Sequence, residues 1–245
     1  MNLGSNTVLV TGGASGIGLA LVEQFLAAGS DVIACGRRAD RLQALKDRHP
    51  HVKTLVCDVS KARDRQTLFA WVAREHPRVN VLVNNAGIQR YPKLDAATAD
   101  DWPASEEEIA INFEAPVHLS MLFIPHLLTR PHPVILNVTS ALSFAPIARA
   151  PVYSATKAAL RSFTLSLRHQ LKSTPIQVIE LIPPAVDTDL GGPGLHTFGV
   201  KVDEFIEAVM PRIAAGDLEV AYGHGVHASR ASRAEIDQIF ERMNN

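Results

Sequence analysis

Tyr153 and Lys157 stand four residues apart in Tyr153-Ser154-Ala155-Thr156-Lys157. On a helix that spacing places the phenol and the ammonium on one face, one turn apart, so that both reach a common site. The pair suggests acid/base chemistry. An ordinary tyrosine, with a pKa of about 10, shuttles protons poorly at neutral pH, and bringing it near 7 takes about 4 kcal/mol of preferential phenolate stabilisation. A cation about 4 Å away at an effective dielectric of 20 supplies roughly 4 kcal/mol before desolvation opposes it. A bare Tyr-x-x-x-Lys is common by chance. This one follows, by thirteen positions, a Ser140 that closes the apolar run Val134 to Thr139.

A second chemical signal lies near the start of the chain, in Thr11-Gly12-Gly13-Ala14-Ser15-Gly16-Ile17-Gly18. Glycines at this spacing let a strand turn sharply into a helix and let a pyrophosphate approach the backbone amides at the helix N-terminus. Gly12, Ala14, Ser15, Gly16, Ile17 and Gly18 are therefore candidate dinucleotide contacts. The spacing is Gly-x-x-x-Gly-x-Gly, which differs from the commoner Gly-x-Gly-x-x-Gly fingerprint. Beyond the next apolar run the chain reads Cys35-Gly36-Arg37-Arg38, where a fold of this kind meets the adenosine ribose. An acidic residue there would accept a 2′-hydroxyl. Arg37 and Arg38 instead suit a 2′-phosphate, so NADP(H) is favoured over NAD(H), unless both are solvated residues opening a surface helix. Asp58 and Val59, after the third apolar run, fall near the expected adenine, although Asp58 could equally help start a helix.

These residues need elements to hold them. Short runs rich in Val and Ile alternate with longer amphipathic stretches, the pattern of strand-helix-strand units around a parallel sheet. The strands are expected at Thr7 to Thr11, Asp31 to Cys35, Val52 to Cys57, Val79 to Asn84, Val134 to Thr139, Gln177 to Ile182 and Leu218 to Tyr222. Their apolar continuity fits strands covered on both faces. Ile17 to Ala28 reads as a helix stopped by Gly29. Ser105 with Glu108 reads as the capping box of a long helix running towards Leu128, with Glu106, Glu107 and Glu108 as its N-terminal charge cluster. No repeat or Ser/Gly-rich linker divides the chain, so residues 1–245 are expected to form one domain. The irregular stretch from Asp187 to Val200 is a natural substrate loop, and Leu195, Phe198 and the segment from Leu142 to Ile147 are expected to form its apolar wall.

Composition narrows the function classes. With 24 basic and 25 acidic residues in 245, the formal net charge is -1, which gives no global field to gather nucleic acid or an anionic membrane. The two cysteines, Cys35 and Cys57, sit in strand patterns and read as inert core residues of a cytoplasmic protein. The N-terminus lacks a signal-peptide layout and no apolar run reaches bilayer length. His224 and His227 are three apart but have no Cys or carboxylate cluster beside them, so no metal site is expected. Arg230 to Arg233 reads as a solvated helix start.

Taken in order, the glycine turn at Thr11 to Gly18, Asn84-Asn85-Ala86-Gly87, Asn112, Ser140, and Tyr153 with Lys157 resemble the short, single-domain branch of the short-chain dehydrogenase/reductase superfamily, from Thr7 to about Thr188. The segment after the sixth strand and the tail are similar to a bacterial subgroup named after an oxidoreductase of lipoteichoic acid D-alanylation operons. The resemblance implies an α/β single-domain Rossmann fold, a doubly wound seven-stranded parallel sheet flanked by helices. It also implies hydride transfer between a nicotinamide dinucleotide and a small-molecule carbonyl or alcohol substrate. By the same resemblance Tyr153 protonates the carbonyl oxygen and Ser140 orients it. Lys157 holds the nicotinamide ribose and lowers the tyrosine pKa, and Asn112 helps carry a water-mediated proton relay. Asn85, Ala86 and Gly87 line the cofactor cleft. Pro183-Pro184 departs from the family's usual Pro-Gly and stiffens that wall, while Val186 and Thr188 match positions that meet the carboxamide, with Pro183 a further cofactor contact. Relatives pair through helices corresponding to about Ser105 to Leu128 and Val152 to Lys172, which implies a homodimer or homotetramer. The other readings are a non-catalytic NADP(H)-binding regulatory module, which has no need of the Asn112, Ser140, Tyr153 and Lys157 set, and a sugar-nucleotide epimerase. The epimerase branch has another glycine spacing and a larger substrate region.

Overall fold

Seven apolar runs pair side by side in the computed structural model, which describes residues 1–245. They are β1 (Thr7–Thr11), β2 (Asp31–Gly36), β3 (Lys53–Val56), β4 (Val81–Asn84), β5 (Val134–Val138), β6 (Gln177–Ile182) and β7 (Glu219–Ala221). All are parallel and lie in the order β3-β2-β1-β4-β5-β6-β7. Parallel neighbours need crossover connections, and the helices that supply them cover both faces. That is why β1, β4 and β5 carry almost no polar alternation and are almost entirely buried. One apolar layer includes Phe25 and Phe205, and the opposite one Leu119 and Phe123. The strand order reverses between β1 and β4, which opens a crevice at their carboxyl ends, the ligand position of doubly wound sheets.

The crossovers begin with α1 (Gly16–Ala27), α2 (Ala39–Arg48) and α3 (Ala62–Glu75). As expected, α1 stops at Gly29, whose φ of +86° is a left-handed conformation suited to glycine. The long helix after β4 differs from expectation. A 3-10 turn at Ala99–Asp101 opens it, with the Thr98 N–H donating to the Asp101 carboxylate at 2.8 Å. Then follow α4 (Trp102–Ile109), a π-helical turn at Ala110–Glu114 and α5 (Ala115–Leu127). Ser105 and Glu108 therefore cap nothing. Thr98 and Asp101 make the competing capping box upstream, and Pro103 occupies the first turn, where a missing N–H costs nothing. The three glutamates fall in the last turn of α4 instead of the first.

The second half adds α6 (Pro151–Gln170), α7 (Val202–Ala215), the short α8 (His224–Ala228) and α9 (Arg233–Asn244). Ser232 caps α9 and forms a capping box with Glu235, so the Arg230 to Arg233 segment is the helix start its composition suggests. No helix is long and apolar enough to cross a membrane.

Candidate active site

The turn between β1 and α1 is built for a close approach. Gly12 has φ +66°, and a Cβ there would lie 3.0 Å from the Ala86 Cα; a Cβ on Gly18 would sit 2.3 Å from the Gly12 carbonyl oxygen. Larger residues would break the turn. The Ser15 side chain makes no capping hydrogen bond, which leaves the first amides of α1 free to face an anion. Thr11 stitches the turn to the end of β4: its hydroxyl accepts from the Asn85 and Ala86 N–H groups at 3.0 and 3.1 Å, and the Asn85 amide donates to the Thr11 carbonyl at 2.9 Å. From here a cleft of about 1250 Å³ runs along the carboxyl edge of the sheet. It is large enough for a dinucleotide and a small substrate together.

Gly12, Ala14, Ser15, Gly16, Ile17, Gly18, Arg37, Arg38, Val59, Asn85, Ala86, Gly87, Ser140, Tyr153, Lys157, Pro183, Val186 and Thr188 all line this cleft. Two expected residues do not. The Asp58 carboxylate accepts from the Ser60 N–H and hydroxyl at 3.1 and 2.8 Å, with the positive charges of Arg37 and Lys61 nearby, and caps no helix, since α3 begins after Lys61. Asn112 lies one layer behind the wall, in the π-helical turn, a distortion often found at functional sites. Its amide accepts from the Ile88 N–H at 2.9 Å and donates to the Ile88 carbonyl at 2.8 Å. A side chain on Gly87 would fill the space between Asn112 and Lys157, since a Cβ there would lie 3.4 Å from Asn112 Oδ1 and 3.7 Å from Lys157 Nζ.

Tyr153 and Lys157 occupy one face of the first turns of α6, and Ser140 closes β5 beside them. The Lys157 ammonium donates to the Val138 carbonyl at 2.8 Å and stands 5.7 Å from the centre of the Tyr153 ring. The cation thus stands on the Tyr153 side of the cleft, anchored by the end of β5. Burial pushes the phenol above its ordinary range, a rise opposed by the Ser140 hydroxyl and reinforced by the negative charge of Glu108. Burial also lowers Lys157 to about 8, against the pull of Glu108.

Glu108 gave no sign of this placement in the sequence. It is 0% exposed; one oxygen accepts from the Arg90 N–H at 3.0 Å and the other has no partner. Burial raises its carboxyl to about 7 despite the favourable field of Arg90 and Lys157. Its neighbour Glu107 pairs with both Arg37 and Arg90. Arg38 donates to the Ser15 hydroxyl at 2.7 Å.

Leu142, Ala145 and Ile147 line the same cleft, as do Phe198 from the stretch 187–200 and Ile239 and Met243 of α9. Leu195 departs from expectation: it folds against Gly192, where a Cβ would touch its Cδ1 at 3.1 Å, and does not line the cleft. Tyr91 and Arg149, neither singled out by sequence, are stacked with the guanidinium 5.6 Å from the ring centre. Asn244 accepts from the Ala148 N–H at 2.5 Å.

A doubly wound sheet whose switch-point crevice holds a glycine turn and a buried Ser-Tyr-Lys group defines a class of dinucleotide-binding oxidoreductases. The chain belongs to the short chain dehydrogenase family, which it matches over residues 6–195. Within it the chain falls on the DltE-like branch, being 44% identical to the uncharacterized oxidoreductase DltE of Bacillus subtilis (strain 168) over 100% of this chain and 98% of that one. It is also 34% identical to the NADP-dependent 3-hydroxy acid dehydrogenase YdfG of Escherichia coli (strain K12), over 73% of this chain and 72% of that protein. Among solved structures, a short chain dehydrogenase from Burkholderia cenocepacia J2315 in complex with NADP superposes with a TM-score of 0.85 at 24% identity, covering 100% of both chains.

Proposed function

We propose that the protein transfers a hydride between NADP(H) and a small carbonyl or alcohol substrate, working in the reducing direction as a carbonyl reductase. The observation that carries this reading is the convergence of Ser140, Tyr153 and Lys157 on the cleft that starts at the glycine turn. The bound nicotinamide supplies the hydride. Tyr153, kept protonated by its burial, donates its proton to the carbonyl oxygen as negative charge develops there. Ser140 donates a hydrogen bond to the same oxygen and fixes its position. Lys157 holds the nicotinamide ribose and supplies the positive charge that steadies a transient phenolate. Asn112 anchors Ile88 from behind and keeps open the gap at Gly87 through which a water-borne proton reaches Lys157. Asn85, Ala86 and Gly87 form one cofactor wall, and Pro183, Val186 and Thr188 the other. Arg37 and Arg38 receive the 2′-phosphate. The NADP dependence of YdfG supports that choice of cofactor.

The purified protein should bind NADPH more tightly than NADH by nucleotide fluorescence, and should oxidise NADPH only when a ketone or aldehyde is added. Absence of any carbonyl-dependent turnover across a broad panel would overturn the reading.

The 187–200 stretch forms the substrate wall through Phe198, which is 68% exposed and free to cover a ligand. Phe198→Ala should change the ranking of bulky over small carbonyls, whereas Leu195→Ala should leave it unaltered. Unchanged ranking in the Phe198 variant removes that residue from the wall.

Glu108 makes the reaction pH-dependent. Its negative charge faces Arg90, Tyr91, Tyr153 and Lys157, and it holds the Lys157 proton against the downward push of burial. Glu108→Gln keeps an acceptor for the Arg90 N–H but removes the charge, so Lys157 loses its proton at lower pH. The alkaline limb of the kcat profile for carbonyl reduction should move to lower pH. A limb that stays in place would show that Glu108 does not act on the lysine.

We assign the protein to a reducing, cytoplasmic compartment, a reading supported by its two free, buried cysteines. We also assign it a homodimeric or homotetrameric assembly through α5 and α6, on which Met121 and Leu165 are exposed.

A further inference from the structure

Arg37 follows β2 and Arg90 follows β4, and β1 lies between those strands. Two strand spacings separate them, about 10 Å. Glu107 of α4 is paired with both guanidinium groups at once, so it ties the residue after β2 to the segment after β4, and both arginines line the cleft. Val59 and Ile111 line the same cleft. The bridge thus joins the segments after the two strands that flank β1, whose end carries the glycine turn. A dinucleotide whose 2′-phosphate is to be held by Arg37 must take that guanidinium away from Glu107.

We propose that Glu107 is the internal counter-ion of Arg37, displaced by the cofactor's 2′-phosphate, and that it thereby sets how tightly NADP(H) is held. The proposal rests on the assignment of Arg37 to the 2′-phosphate. Glu107 does not lose its own partner in the exchange, because Arg90 stays with it, and Glu108 one residue on keeps hold of the Arg90 N–H. Only the Arg37 half of the bridge opens. The freed carboxylate then lies near a dianionic phosphate, and this repulsion adds to the cost of opening the ion pair. A half-exposed pair of this kind accounts for up to about fivefold in affinity, and relief of the repulsion extends the total to about tenfold. Cofactors without the 2′-phosphate have no claim on Arg37 and escape the competition.

The test is a titration of the full-length protein and its Glu107→Gln variant with NADPH, NADH, 2′,5′-ADP and 5′-AMP. Glutamine keeps an oxygen for Arg90 and removes the charge. The expected result is NADPH and 2′,5′-ADP binding tightened by about three- to tenfold, with NADH and 5′-AMP unchanged and a shallower salt dependence of the difference. In an Arg37→Ala background the same substitution should give at most about a twofold gain, because only the carboxylate's repulsion of the phosphate is then relieved. Unchanged NADPH affinity would overturn the proposal, and weakened affinity would show that Glu107 orients Arg37 for the phosphate instead of withholding it. An equal gain with and without Arg37 would also overturn it, by tracing the effect to charge alone. If the unaltered protein prefers NADH, the assignment of Arg37 itself fails, and that outcome is separate from a failure of Glu107 alone.

Discussion

Tyr153→Phe should lower kcat for carbonyl reduction by about 10²- to 10⁴-fold, the range that a positioned general acid contributes. NADPH affinity should stay nearly unchanged. The substitution removes one hydroxyl from a side chain whose ring is held in place by α6 and by the Lys157 ammonium 5.7 Å from its centre. Phenylalanine retains that packing and leaves no unsatisfied polar group, so the variant should fold like the parent. What it loses is the only proton in the cleft that both faces Ser140 and is pushed upwards by burial. The high phenol pKa bears on direction. A tyrosine that is neutral across the physiological range is ready to donate to a carbonyl oxygen, but must first be ionised to take a proton from an alcohol. Reduction should therefore be favoured near neutral pH, and alcohol oxidation should gain as the pH rises. Steady-state kinetics of both directions between pH 6 and about 10, with nucleotide fluorescence as the binding control, check both statements. Full activity in the variant would remove Tyr153 from the chemistry.

How far the site could be read in the sequence depended on how local each signal was. The strands were legible because parallel strands covered on both faces must be apolar throughout. The expected run Val134 to Thr139 differs from β5 by one residue at its end. The glycine turn and the Tyr153-Lys157 pair were legible because each sets its geometry within one turn or one helix. Glu107 and Glu108 were not. Three consecutive glutamates after a serine resemble the acidic first turn of a helix, and only the Thr98-Asp101 box upstream shifts them to the last turn of α4, against Arg37 and Arg90. Those contacts join residues 70 and 17 positions apart, with no periodicity to announce them. Tyr91 and Arg149 were hidden for the same reason, since their stacking joins the segment after β4 to the one before α6. Leu195 differs from expectation because a glycine-rich stretch leaves the direction of its side chains open, and here the side chain packs against Gly192.

Arg37→Ala should raise the Kd for NADPH by about ten- to a hundredfold and leave that for NADH within about twofold, since a hydrogen-bonded contact to a charged group contributes about 1.5 to 3 kcal/mol. The lower half of that range is expected. Arg37 is half-exposed, water screens its field, and Arg38 stands beside it with its guanidinium on the Ser15 hydroxyl at the same turn. Removing both arginines should therefore cost more than either alone, and the double variant should approach indifference between the two cofactors. The bridge to Glu107 sharpens the expectation. Without Arg37 the carboxylate keeps only Arg90, and the adenosine end presents an acidic group with one fewer positive neighbour. That change favours a 2′-hydroxyl over a 2′-phosphate, as an acidic residue does in NAD-binding relatives of this fold. Titration of the Arg37 and Arg37/Arg38 variants with both nucleotides at two salt concentrations measures this directly. Equal losses for NADPH and NADH would mean that Arg37 supports the shape of the cleft and does not recognise the phosphate.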